Sequence, residues 1–325
     1  MERQTSLISG IRVLAMAAVA VLMVPASGQG QTGNRGPAPK TAWGHPDLQG
    51  LWTNTTTTPL ERPADLADKA VLSEAERGKR DAEVAERVSF DRRSAGNVGA
   101  YNEFWMERGA LNNRTSLVID PPDGKIPPMT PAGKARQDAV NAHRREHPAD
   151  SWEDRSAYDR CITRGIPGVM VPGFYNHNYH ILQTPTHVVL VAEMIHDARI
   201  IPIDGRPHLP STIRQWLGDS RGRWEGDTLV VETRNVTDKV FDQSLVIYGF
   251  GAATNVVERF RRTGPDTLDY EFTVNVPEVY TRPWTVSTPM AKMDGQLYEY
   301  ACHEGNHAMP NILNAERAAD AAKKK

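Results

Sequence analysis

The chain has 325 residues, 38 Lys and Arg against 40 Asp and Glu, and a formal charge of −2. That balance excludes the basic surface of a nucleic-acid binder and the long acidic run of a solvating tail. With 39% hydrophobic residues, the length is enough for one large core, and the composition suits a loop-rich β protein better than a helical bundle.

Residues 1–28 read as a signal peptide. Arg3 and Arg12 form a basic start, "VLAMAAVAVLMV" (Val13 to Val24) an apolar centre, and Ala26-Ser27-Gly28 a small-residue cleavage site. The apolar run is short for a membrane span and is followed at once by polar "GQGQTGNRG", so no stable membrane insertion is expected after cleavage. The expected location is periplasmic or secreted. Residues 29–42 are a Gly, Pro and Gln-rich leader expected to be disordered, 43–313 a single β-rich domain, and 314–325 a solvated tail.

The first strand is expected at "GHPDLQGLWTNTTTT", where Leu51, Trp52 and the threonines favour extended backbone. A helical insertion follows over about 70–150. "LSEAERGKRDAEVAERVSF" carries a capping box at Ser73 and Glu76, and a second helix opens at Thr130 with Pro131 in its first turn. From about residue 172 the period becomes two. "HVVLVAEMI" and "ARIIPI" read as strands, and hairpins turn at Glu225-Gly226-Asp227, Gly264-Pro265-Asp266 and Met293-Asp294-Gly295. The last of these makes "GQLYEYACHE" the closing strand. Short turns without helical crossovers imply an antiparallel meander, closed as a barrel or strongly curved sheet.

Several polar residues interrupt apolar patterns. In "AEMIHDARIIPIDGRPHLP", Glu193 continues the stripe of Val189 and Val191, and a buried carboxylate needs a partner such as His196 or Arg199. Glu193 and His196 are therefore acid/base candidates and Arg199 a ligand anchor, the competing reading being a structural ion pair. "PGFYNHNYHILQTP" alternates Tyr175, His177 and Tyr179 with Asn176, Asn178 and His180, which makes Asn178 and Tyr179 candidates for binding a sugar-like or phenolic ligand. Trp216 joins them from the turn-rich stretch that also holds Asp219 and Ser220.

"CHEGNHAMP" contains His303, Glu304 and His307 in the H-E-x-x-H order of helical zinc sites. Gly305 and Asn306 are poor helix interiors, Pro310 removes a backbone donor, and a third histidine six residues on is replaced by Leu313. No cofactor is favoured on these grounds. Zinc at His303 and His307 stays as the alternative, and His303 and Glu304 are expected to close a site from the last strand. Cys161 and Cys302, alone in the sequence, are either a disulfide, worth about 3–5 kcal/mol for so long a loop, or two buried thiols.

The strings "TRGIPG", "IIPIDGRPHLP", "IRQWLGDSRGRWEGDTLVVET" and "YEYACHEGN", with "HPDLQGLWT", resemble a family of exported bacterial proteins of unassigned function over about residues 158–313. The departure is His307, where similar sequences often carry tyrosine. Gly50-Leu51-Trp52 also resembles the G-x-W that opens lipocalin-type barrels, which implies a tryptophan plugging the barrel end. The expectation is an exported barrel that binds a small molecule at its mouth, with or without acid/base chemistry. A metal-dependent hydrolase and a non-catalytic envelope protein are the alternatives.

Overall fold

The computed structural model describes residues 39–89, 103–240 and 251–323. The signal peptide expected at 1–28, and all but the last four residues of the 29–42 leader, lie outside the described residues. Eleven strands form one antiparallel sheet: β1 (Gly50–Thr53), β2 (Val118–Asp120), β3 (Asn178–Gln183), β4 (His187–Ala192), β5 (Ala198–Pro202), β6 (Asp219–Glu225), β7 (Thr228–Arg234), β8 (Val256–Arg262), β9 (Thr267–Val274), β10 (Trp284–Ser287) and β11 (Met290–Lys292). Hydrogen bonds run in the order β5-β4-β3-β1-β11-β9-β8-β7-β6, with β10 alongside β9 and β2.

The sheet curls until its two ends nearly meet. Arg199 on β5 donates to Ser220 on β6 and Thr233 on β7. At the same seam, the methyl of Ile203 would lie 2.7 Å from any Cβ placed on Gly222 of β6. Only a glycine lets the two edges come so close.

The interior is filled. Inward pairs such as Trp52 with Tyr179, Ile181 with Leu190 and Phe260 with Tyr270 follow from the registers, and these side chains are almost wholly buried with Phe272, Trp284 and Leu48. Trp52 donates its indole N–H to Leu48 O at 3.0 Å, and Arg262 lies over its ring at 5.4 Å. The barrel lumen is therefore a packed core.

One polar network crosses that core. Arg199 makes a two-pronged contact with Glu258, which also accepts from the Tyr270 hydroxyl at 2.9 Å. Burial opposes the Arg199 charge, but the Glu258 carboxylate outweighs it and holds the guanidinium protonated.

The insertion carries α1 (Glu74–Val88) and α2 (Pro131–Glu146). The capping box at Ser73 and Glu76 forms, and Thr130 caps α2 with Pro131 in its first turn. A third helix, α3 (Ala308–Lys323), ends the described chain and buries no residue.

The expected third hairpin is corrected. Residues 284–292 are two short strands, β10 and β11, broken around Thr288 and Pro289, and both pair back onto β9. Residues 293–302 form no strand. Nothing is left to pair with them, because β11 is already flanked by β9 and β1.

Candidate functional site

Glu193 is buried, though not by continuing the strand pattern. The buried positions of β4 are Val188, Leu190 and Ala192, and Glu193 follows as the chain turns into helical geometry at φ −64°. Its carboxylate accepts from the Asn178 side-chain amide at 2.7 Å and from the Tyr298 N–H at 3.2 Å. Asn178 also donates to Glu107 at 3.2 Å. Those partners cover the outer face of β3 and bury Asn178, while the neighbouring Tyr179 faces the core.

The turn after Glu193 is strained. Ile195 and His196 sit at φ 59° and 48°, a region that is unfavourable for a β-branched residue. His196 is exposed, and its Nδ1 donates to the Tyr300 carbonyl at 3.1 Å. Since a carbonyl only accepts, Nδ1 carries the proton and Nε2 is the basic nitrogen of the neutral ring. The His303 ring lies 6.4 Å from that of His196, centroid to centroid.

Asp197, next in the chain, accepts from the Thr163 hydroxyl at 2.9 Å. Burial pushes its carboxyl up to about 6, against the opposing hydrogen bonds of Thr163 and the Arg164 backbone N–H. Arg164 connects this carboxyl to His177, which is 2% exposed. Burial, reinforced by the Arg164 charge, lowers its imidazole to about 3. Arg164 Nη1 donates to His177 Nε2 at 2.9 Å, which puts the ring proton on Nδ1.

The disulfide is present. Cys161 and Cys302 are joined across 141 residues, and Asn306 donates to the Cys161 sulfur at 3.3 Å. With the Glu193–Tyr298 and His196–Tyr300 bonds, the bridge fastens residues 298–306 over the ends of β3 and β4. Cys161 and Asn176 also have positive φ, 56° and 55°. Four of the five non-glycine residues in this conformation, among the described residues, therefore flank one place; the fifth is Asn235.

Sequence reasoning brought Glu193, His196, Asn178 and His303 to this end of the barrel. Arg199 stands apart from the Glu193 group: its fork is occupied by Glu258 in the core. Tyr179 donates its hydroxyl to Val169 O at 3.0 Å and is sealed in the core. Trp216 is half-buried before β6, and no hydrogen bond or ring contact links it to Glu193 or Asn178. Asp219 accepts from His208 Nδ1 at 2.8 Å, whereas Ser220 bonds Thr233 and Arg199; as consecutive strand residues they face opposite ways.

His303, Glu304 and His307 are exposed and lie in a loop before α3. Asn306 accepts from the Ala308 N–H as that helix begins. The helical geometry that H-E-x-x-H needs for zinc is therefore not formed. Among the described residues no group of three or more His, Cys, Asp or Glu side chains is placed to hold a metal ion.

Glu107, Tyr158, Arg164, Tyr175, His177 and Asp197 complete the cluster without having been singled out as its members. "TRGIPG" and the His196-Asp197 pair carried the available signal. The contacts to Glu107 and Tyr158 span loops with no periodic pattern. The sequence matches no protein-family model and no curated protein.

Chemically, the cluster offers a carboxyl that titrates near neutrality, an exposed imidazole beside it, a neutral buried imidazole and a guanidinium. Half-buried Tyr158 and Tyr175, with hydroxyls 3.3 Å apart, line its approach.

Proposed function

We infer that the protein is an exported small-molecule-binding barrel whose ligand docks at the end of β3 and β4, beneath the 298–306 segment. The observation that carries this reading is the convergence of four left-handed non-glycine residues on a group of buried titratable side chains. Strain of about 1–3 kcal/mol per residue persists where surrounding contacts impose it, and such residues cluster at ligand sites. The packed lumen favours the barrel end over the interior. The half-buried tyrosines and the Asn178–Glu107–Glu193 array suit a phenolic or sugar-like compound. Asp197 and His196 are the groups available to move a proton if the bound molecule is also transformed.

Export is part of the same proposal. It rests on the basic and apolar start of the chain and on a long-range disulfide of the kind that persists in oxidising compartments. Among the described residues no helix is long and apolar enough to cross a membrane.

The test is a thermal-shift screen of the chain from residue 29 onward against phenolic and sugar compounds, with and without a chelator. A ligand bound by the native state alone raises the melting temperature as its concentration rises. The expected result is a saturable rise that survives the chelator and weakens in Tyr175→Ala. No rise with either class at millimolar concentration would remove the reading.

A further inference from the structure

The charge of the Arg164 guanidinium, at this end of the barrel, is left without a counter-charge. Among the described residues no carboxylate lies within ion-pair distance of it. Nη1 is spent on His177, a partner that burial keeps neutral, so that bond neutralises nothing. Its Nε is buried and has no hydrogen-bond partner. Asp197 is distant in sequence and close in space, but takes the Arg164 backbone N–H, not the side chain.

The surroundings have the same bias. His177, itself 2% exposed, presents an Nδ1–H with no acceptor. Arg164 stacks over the Tyr158 ring at 5.5 Å, and the Tyr158 hydroxyl meets that of Tyr175. Phe174, half exposed at 45%, packs beside Tyr175 with ring centroids 5.3 Å apart. A half-buried cation, unsatisfied donors and a wall of aromatic rings form a receptor for a flat molecule bearing an oxyanion. The guanidinium fork matches a carboxylate in two-pronged geometry, and an unpaired buried donor is costly until such an acceptor arrives.

Accepting the barrel end as a ligand site, we propose that Arg164 anchors an aromatic carboxylate there, with the ring of the ligand against Tyr158, Tyr175 and Phe174. The carboxylate supplies the missing counter-charge. Tyrosine hydroxyls recognise polar substituents on the ring.

Matched acids and amides test this: 4-hydroxybenzoate against 4-hydroxybenzamide, and benzoate against benzamide, at constant ionic strength, by calorimetry and melting temperature on the chain from residue 29. The expected result is that each acid binds at least about tenfold tighter than its amide. Arg164→Gln should abolish that preference, and Arg164→Lys, which keeps the charge and loses the fork, should leave a smaller one. Melting of each variant without ligand checks that it folds; if Arg164→Gln does not, the acid-to-amide ratio of the unaltered protein and Arg164→Lys decide. Amides binding as tightly as acids would overturn the anchor and leave the ligand site standing. Failure of both series, while neutral sugars or phenols bind, would also overturn the anchor alone. Failure of every compound would overturn the anchor together with the site.

Discussion

Asp197 and His177 push the pH dependence of stability in opposite directions. Asp197 is raised from 3.8 to about 6, so between those values the folded chain keeps a proton that the unfolded chain has released. Its contribution to stability is full below about 3.8 and is lost as pH rises through 6. His177 is lowered from 6.5 to about 3, so the unfolded chain binds a proton that the folded chain refuses. Its contribution is full above 6.5 and is lost as pH falls towards 3. In the overlap the two slopes offset each other. Asp197→Asn removes only the first, so its stability relative to the unaltered protein should be greater at pH 7.5 than at pH 4.5. The gain is at most about 1.4 kcal/mol per pH unit across the window. Urea unfolding at both pH values reads it, and an equal difference at both would show that Asp197 ionises normally.

The Arg199–Glu258 pair is a residue-scale matter as well, with a different meaning. In "AEMIHDAR" the legible feature was a buried Glu193 needing a partner, with Arg199 as one candidate, but Arg199 takes its acid from β8 and not from Glu193. Period-two reasoning shows which face a residue occupies, not which strand lies across the barrel. Glu258→Gln leaves the guanidinium buried without its counter-charge and should cost about 3–5 kcal/mol in chemical denaturation. A loss under about 1 kcal/mol would mean that water compensates Arg199.

At the scale of elements, the strands of both hairpins, the first strand and the capped helices follow directly from local pattern, because turn residues and caps act over a few positions. The end of the chain does not. "GQLYEYAC" has the composition of a strand, yet both neighbouring edges are occupied and the segment becomes a strap held by Glu193, His196 and Cys161. Cys161→Ser with Cys302→Ser should therefore loosen residues 298–306 and α3 first, which hydrogen exchange reports as fast exchange there while β3 and β4 stay protected. Uniform loss of protection over the whole barrel would assign the bridge to global stability instead. The β5–β6 seam makes its own prediction. Gly222→Ala meets Ile203 at 2.7 Å and should destabilise by roughly 1–3 kcal/mol, through separation of the two edges.

For the whole molecule, a packed barrel moves the search for function to its ends and its flanks. Two surface clefts compete with the β3–β4 end. One of 390 Å³ lies between α1 and residues 57–65, the other of 310 Å³ between α2 and residues 153–160. Among the described residues, neither is lined by a residue with left-handed non-glycine backbone or by a buried titratable side chain. The decisive measurement is hydrogen exchange of the chain from residue 29, with and without a compound that raises its melting temperature. The account predicts added protection concentrated in residues 158–178, 193–200 and 298–306. Protection confined to either flanking cleft, with those three segments unchanged, would contradict it.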